Sequence, residues 1–193
     1  VNPTSVSLLD RLKAASPDDA DWVRFQDIYL PFIRQWLSRV PGLGEDAKDL
    51  AQEVFLVLVR ELPRFDRRRE GSFRAWLRQV TVHKVWAQGK QRRRRPDAGR
   101  EATDHYFEQL ADPHGDLARE WDRDHDQHVL QKLMALVQPD FSPATWEAFR
   151  QFAQAGRPAA QVAEELGLSV NAVLQAKSRI LRRLREEAGN LLD

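Results

Sequence analysis

Residues 46–95 carry two helical patterns in succession, and no other stretch limits the fold as strongly. Apolar residues at Ala47, Leu50, Ala51, Val54, Leu58 and Leu62 recur every three or four positions, which predicts an amphipathic helix. Within it, residues 54–59 read VFLVLV, six apolar side chains in a row. One helix face cannot hold six neighbours, so some must point away from the local core, toward a second layer or a partner. A short, highly charged loop at 64–71 follows, with Asp66, Glu70 and the arginines Arg67, Arg68 and Arg69. Ser72 then predicts a helix cap. The next helix sets Phe73, Trp76, Leu77 and Val80 on one face, with Arg74, Arg78 and Lys84 around them. It runs toward four arginines at 92–95, stopped by Pro96. Gly89 weakens this helix interior by about 1 kcal/mol relative to Ala, so fraying is expected there.

Charge is unevenly spread along the chain. The 193 residues have a net charge of +1. Residues 64–100 hold 13 Lys/Arg and 3 Asp/Glu, net +10, whereas residues 101–147 hold 3 and 11, net −8. A concentrated basic block in a nearly neutral chain predicts a local polyanion site rather than general stickiness. Cations neutralise phosphates, and exposed rings stack on unpaired bases at ~1–3 kcal/mol per base. An aromatic, cationic helix is therefore suited to melted nucleic acid.

Hydrophobic residues make up 42% of the chain, enough for packed cores, so global disorder is not expected. The chain has no Cys, which excludes disulfides and thiolate zinc sites and fits a reducing cytoplasm. No apolar run approaches the ~20 residues of a membrane span, and no signal-peptide pattern opens the chain. A cytoplasmic protein is expected, with no cofactor, no metal and no membrane insertion.

Residues 1–15 hold a small group, Leu8, Leu9 and Leu12. Residues 16–19 (SPDD) predict a helix start. Trp22, Phe25, Ile28, Tyr29, Phe32, Ile33, Trp36 and Leu37 then repeat at helical spacing as a core stripe, with Pro31 predicting a kink or division. Residues 41–44 (PGLG) make a turn. Residues 96–118 are rich in acids, Pro and Gly, which predicts a linker. His125 and His128 lie three apart among Asp122, Asp124 and Asp126, a spacing open to a metal. With no further ligand marked, a solvated helix face is the expectation. Trp121, Val129, Leu133, Leu136 and Val137 predict a helix serving a second domain.

Residues 159–188 carry the second strong signal: a short helix, a turn at Gly167 and a long basic helix, the pattern of a helix-turn-helix. Ala163 is small where the helices would cross, and Val162, Leu166, Leu168 and Val173 would form their joint core. Asn171, Gln175 and Ser178 are polar groups able to reach base edges, beside Lys177, Arg179, Arg182, Arg183 and Arg185.

The residues DAKDLAQEVFLVLV, LPRF and GSFRAWLRQVT closely resemble region two of bacterial RNA polymerase sigma factors of the extracytoplasmic-function type. Residues 159–188 resemble region four of the same family. The resemblance implies an all-α chain of two small helical domains joined by a flexible acidic linker. Their expected bounds are 16–95 and 119–193, after an N-terminal segment 1–15 and around a linker at 96–118. It implies binding of the largest polymerase subunit's clamp helices through Asp49, Gln52, Glu53 and Phe55. Melted −10 DNA would meet Arg67, Arg68, Arg69, Ser72, Arg78, His83, Lys84 and Trp86, with Phe73 and Trp76 turned to the core. Capturing an unpaired base there must offset an unstacking cost of a few kcal/mol. Duplex −35 DNA would meet Asn171, Leu174, Gln175, Ser178 and Arg179; Leu174 is placed to contact a thymine methyl, Arg179 either a guanine edge or a phosphate, and Arg182 and Arg183 phosphates. Where the family often carries Asn and Asp, this chain aligns His83 and Ala87, so the resemblance implies the placement of the helix but not a base preference.

The family is usually held inactive by an anti-sigma protein, an expected partner beside polymerase core and promoter DNA. With no segment after Asp193, an attached regulatory module is not expected. A stand-alone helix-turn-helix regulator is the alternative, but it leaves the 54–59 run and the cationic helix unused. No Gly-rich phosphate loop or nucleophile elbow is present, so an enzyme is not expected.

Overall fold

The computed structural model describes residues 8–14, 20–66, 72–91, 100–188 and 191. Every regular element among them is helical, as the apolar spacing predicts. Contacts divide the chain into one compact unit at Leu8–Val129 and another at Leu130–Gly189.

The first unit is built around α2 (Ala20–Ser38), whose eight stripe residues from Trp22 to Leu37 are all buried. Their rings interlock with those of later helices: Tyr29 lies 5.1 Å from Phe73 edge-on, and Phe25 lies 5.7 Å from Phe55. Such pairs add about 0.5–1.5 kcal/mol each beyond the area they bury. α2 continues through Pro31 as one element, so the chain is not divided there although Pro31 donates no hydrogen bond. α1 (Leu8–Ala14) buries Leu8, Leu9 and Leu12, and its Arg11 pairs with Asp21 at 2.8 Å. The SPDD helix start lies outside the described residues.

Next come α3 (Asp46–Glu61), a single 3-10 turn at Leu62–Arg64, and α4 (Phe73–Gln91). The α4 backbone stays helical through Gly89, so the expected fraying does not occur before Gln91; residues 92–95 lie outside the described residues.

The acidic stretch after residue 100 differs most from its expectation as a linker. Residues 100–111 form α5 (Arg100–Ala111), with Phe107 and Leu110 fully buried. α5 packs on α4, and the Thr103 hydroxyl donates to the Pro41 carbonyl. Tyr106, Phe107 and Leu110 are too few to read as a core helix, but they suffice when neighbours supply the other wall. Burial, and then the charge of Glu120, pushes the Tyr106 phenol up to about 12.

α6 (Asp116–Val137) also departs from expectation, because its first half serves the first unit. Trp121 packs 4.9 Å from Phe32 and 5.0 Å from Trp36. His125 is 0% exposed, stacked on Tyr29 at 5.8 Å, rather than on a solvated face. His128 Nε2 lies 2.7 Å from the Ile28 carbonyl and donates to it. Asp122, Asp124 and Asp126, which alternate along this stretch, give it the look of a solvated face. Instead they flank the apolar stripe and meet arginines: Asp122 holds Arg78, Asp124 holds Arg39 and Asp126 holds Arg74, at 2.8, 2.7 and 2.6 Å. Burial alone would push the Asp126 carboxyl up. Hydrogen bonds to His125 and Arg74 outweigh it and hold the group below the usual carboxylate range.

In the second unit, Leu133 and Val137 continue the buried face of α6. α7 (Pro143–Phe149) is capped by Ser142, whose Oγ accepts from the Thr145 N–H at 3.3 Å, and it widens into a π-helical turn at Arg150–Gln154. α8 (Ala159–Leu166) and α9 (Val170–Ala188) close on α7 through Ala148, Val162, Ala163, Val173 and Ala176. Gly167 sits between them at φ 63°, a left-handed conformation that favours glycine. There the Leu168 N–H donates to the Ala163 carbonyl at 2.8 Å and the Gly167 N–H to that of Glu164 at 3.3 Å, which ends α8. Ser169 Oγ accepts from the Ala172 N–H at 3.1 Å and starts α9. Among the described residues no helix is long and apolar enough to cross a membrane.

Candidate nucleic-acid and partner interfaces

α3 resolves its apolar run by splitting it. Val54, Phe55 and Leu58 turn inward, Val57 and Val59 lie at the edges, and Leu56 stands 67% exposed. Asp49, Gln52, Glu53 and Leu56 follow the three-and-four spacing, so they form one solvent-facing strip with an apolar residue at its C-terminal end. Phe55 corrects the sequence reading: it is only 9% exposed and packs against Phe25. A run of six equally apolar residues does not say which one faces out. Only the angle at which α3 lies on α2 decides that.

α4 buries Phe73, Trp76 and Leu77, as their stripe predicts, and starts at Ser72, whose Oγ accepts from the Ala75 N–H at 3.3 Å. Arg78 is a second correction. It is 6% exposed and donates to Asp122 at 2.8 Å, so it acts as a buried tie to α6 and presents no charge to a ligand. Farther along, His83 is exposed and Trp86 half-buried, their rings 6.1 Å apart. Lys84 Nζ lies 3.0 Å from Glu53, which sets the α4 surface directly beside the α3 strip. An ion pair this exposed contributes at most about 1 kcal/mol, so a ligand on either side can compete for its members. Arg67, Arg68 and Arg69 lie outside the described residues.

On α9 the inner face is Val173, Ala176, Ile180, Leu184 and Ala188. Asn171, Leu174, Gln175, Ser178, Arg179 and Arg182 are all exposed on the outer side. Arg183 is more enclosed and already paired, with Asp140 at 2.8 Å and Glu187 at 2.7 Å. Burial pushes its guanidinium down, but those two partners more than offset this and hold it above the usual arginine range. Its charge is therefore less available to a phosphate than those of Arg179 and Arg182. The three arginines, with Asp140, Phe141 and Glu186, line an open hollow of about 490 Å³. The sequence reading also missed Val170, which is 45% exposed one turn before Leu174. It lies on the turn side of the expected contacts, and only its exposure marks it.

These features define an all-α protein whose outward chemistry lies on helix faces: an acidic strip tipped with leucine, and helices that carry basic and polar groups. Residues 26–95 match the family model described as Sigma-70 region 2. The match takes in α2 from Gln26 onward, α3 and α4, and covers less than half of the chain. It stops before α5 and α6, whose side chains complete the core of the same unit. No curated protein and no solved structure gave a match.

Proposed function

We propose that this chain is a sigma factor of the extracytoplasmic-function type, a specificity subunit that brings RNA polymerase core to its promoters. The observation that carries the proposal is the sigma-70 region 2 match over residues 26–95. In this reading the α3 strip of Asp49, Gln52, Glu53 and Leu56 docks on polymerase. Leu56 supplies the apolar contact, and the three polar residues supply orientation. His83, Lys84 and Trp86 on α4, with the 67–69 arginines, hold melted −10 DNA. Helices α8 and α9 act as a helix-turn-helix on duplex −35 DNA. The polymerase and −10 functions fall in Leu8–Val129 and the −35 function in Leu130–Gly189. An anti-sigma protein that covers the Leu56 strip would keep the factor from polymerase. The role is one of binding and needs no catalysis by the chain.

A stand-alone helix-turn-helix regulator would use α9 and leave Leu56 facing water without purpose. Transcription by purified polymerase core on a genomic template, with and without the protein, separates the two. A sigma factor creates new transcript starts and co-purifies with core. Unchanged starts and no core association would overturn the proposal.

A further inference from the structure

An exposed valine and an exposed leucine sit on the same flank of α9, and ordinary packing does not explain them. Val170 is 45% exposed and Leu174 is 46% exposed, four residues apart, on a helix whose own core uses Val173, Ala176 and Ile180. Around them the surface is polar or cationic: Asn171, Gln175, Lys177, Ser178, Arg179 and Arg182. Lys177 lies over the Phe152 ring at 5.2 Å. An apolar pair inside a basic, hydrogen-bonding surface is complementary to the major groove of duplex DNA. There each thymine presents a methyl group beside the polar edges of the bases, and phosphates line both sides.

We propose that Val170 and Leu174 together read the methyl groups of thymines at neighbouring base pairs, so that α9 selects A·T steps. The inference rests on the duplex-reading role proposed above for α9 and deepens it. Residues four apart on a helix have side chains about 5–6 Å apart, a spacing that spans between one and two base-pair rises of ~3.4 Å. Asn171 and Gln175 follow Val170 and Leu174 by one position each. Their amides present the donor and acceptor pair that matches the adenine edge opposite a thymine. Apolar and amide side chains on this helix therefore point to the same base pair type. Gly167 and the Ser169 cap set where α9 begins, and so fix Val170 at its first turn.

The test uses the full chain and a randomised pool of ~20-base-pair duplexes, from which the bound fraction is enriched and sequenced. The preferred duplex is then synthesised with deoxyuridine replacing thymine, one position at a time, which removes only the methyl group. The expected result is enrichment of A·T pairs and about fourfold weaker binding per methyl lost at two neighbouring pairs, equivalent to ~0.8 kcal/mol each. Val170→Ala and Leu174→Ala should each abolish the penalty at one of those pairs. Both side chains are exposed, so circular dichroism and thermal melting should not change. Equal affinity for thymine and deoxyuridine duplexes would overturn the inference while leaving duplex reading intact. Retained discrimination in both variants would overturn it too, and would assign the apolar pair to a protein partner. No enrichment of any duplex would remove the proposed −35 role itself, and the inference with it.

Discussion

Phe55 and Leu56 are adjacent and similarly apolar, yet the angle between α3 and α2 gives them opposite tasks. Phe55 packs on Phe25, so Phe55→Ala should destabilise the fold by about 3–5 kcal/mol, measured by urea denaturation. Leu56→Ala removes an exposed side chain and should leave stability within about 0.5 kcal/mol while weakening polymerase core binding. If core affinity survives Leu56→Ala unchanged, the α3 strip is not the docking face. Arginines divide in the same way. Removing Arg78 takes the buried member from its pair with Asp122, which is partly exposed and also faces Arg74, so Arg78→Ala should cost about 1–3 kcal/mol of stability and leave the salt dependence of DNA binding unaltered. Arg182→Ala should do the reverse, lowering affinity for all duplexes and reducing the salt slope by roughly one. A flattened salt slope in Arg78→Ala at unchanged stability would return that residue to the DNA surface.

At the scale of elements, α5 and the first half of α6 complete a unit that the family match leaves open. Trp121, His125 and Phe107 cover α2 and α4, and their arginine ties run through Asp122, Asp124 and Asp126. A fragment of residues 8–129 should therefore unfold cooperatively, whereas one of residues 8–95 should bind a hydrophobic dye and lose its sharp transition. Equal stability of the two fragments would mean that the packing of α6 on α2 contributes nothing. Docking of α5 has its own signature in Tyr106. Its phenol ionises near 12 in the folded state, against 10.0 unperturbed. Its contribution to stability is thus complete below about pH 10 and is lost as pH rises toward 12, because the unfolded chain releases the proton first. Ultraviolet titration should show one tyrosinate absorbance step near pH 12 that is missing in Tyr106→Phe. A step near pH 10 in the folded wild type that Tyr106→Phe removes would contradict the docking.

For the whole molecule, the near-zero net charge conceals opposed blocks, net +10 at 64–100 and net −8 at 101–147. Part of the opposition is satisfied internally, since Arg74 and Arg78 face the acids of α6. Farther along the described part of α4, Lys84 stays on the outer surface, in an exposed pair with Glu53 that a polyanion can compete for. Substituting His83 and Lys84 together should therefore impair transcription from duplex promoters more than from premelted ones if these residues assist opening. An equal loss on both templates would assign them to holding the strand. Silence on both would place melting elsewhere in the chain.

Periodicity by itself determined that the chain is helical, because an amphipathic helix writes its face into every third or fourth residue. It also located the aromatic core of α2, the Ser72 cap, and the turn at Gly167 with Ala163 beneath it. Each of these depends on local geometry, which a short stretch of sequence contains in full. The role of Arg78, the inward turn of Phe55, the burial of His125 and the docking of α5 depended on partners about 20 to 100 positions away. A charged residue looks solvent-facing until its counter-ion is placed, and a short apolar stripe looks isolated until another helix covers it. Only the tertiary structure supplied those neighbours, because they come from helix-on-helix packing and not from the chain's local repeat.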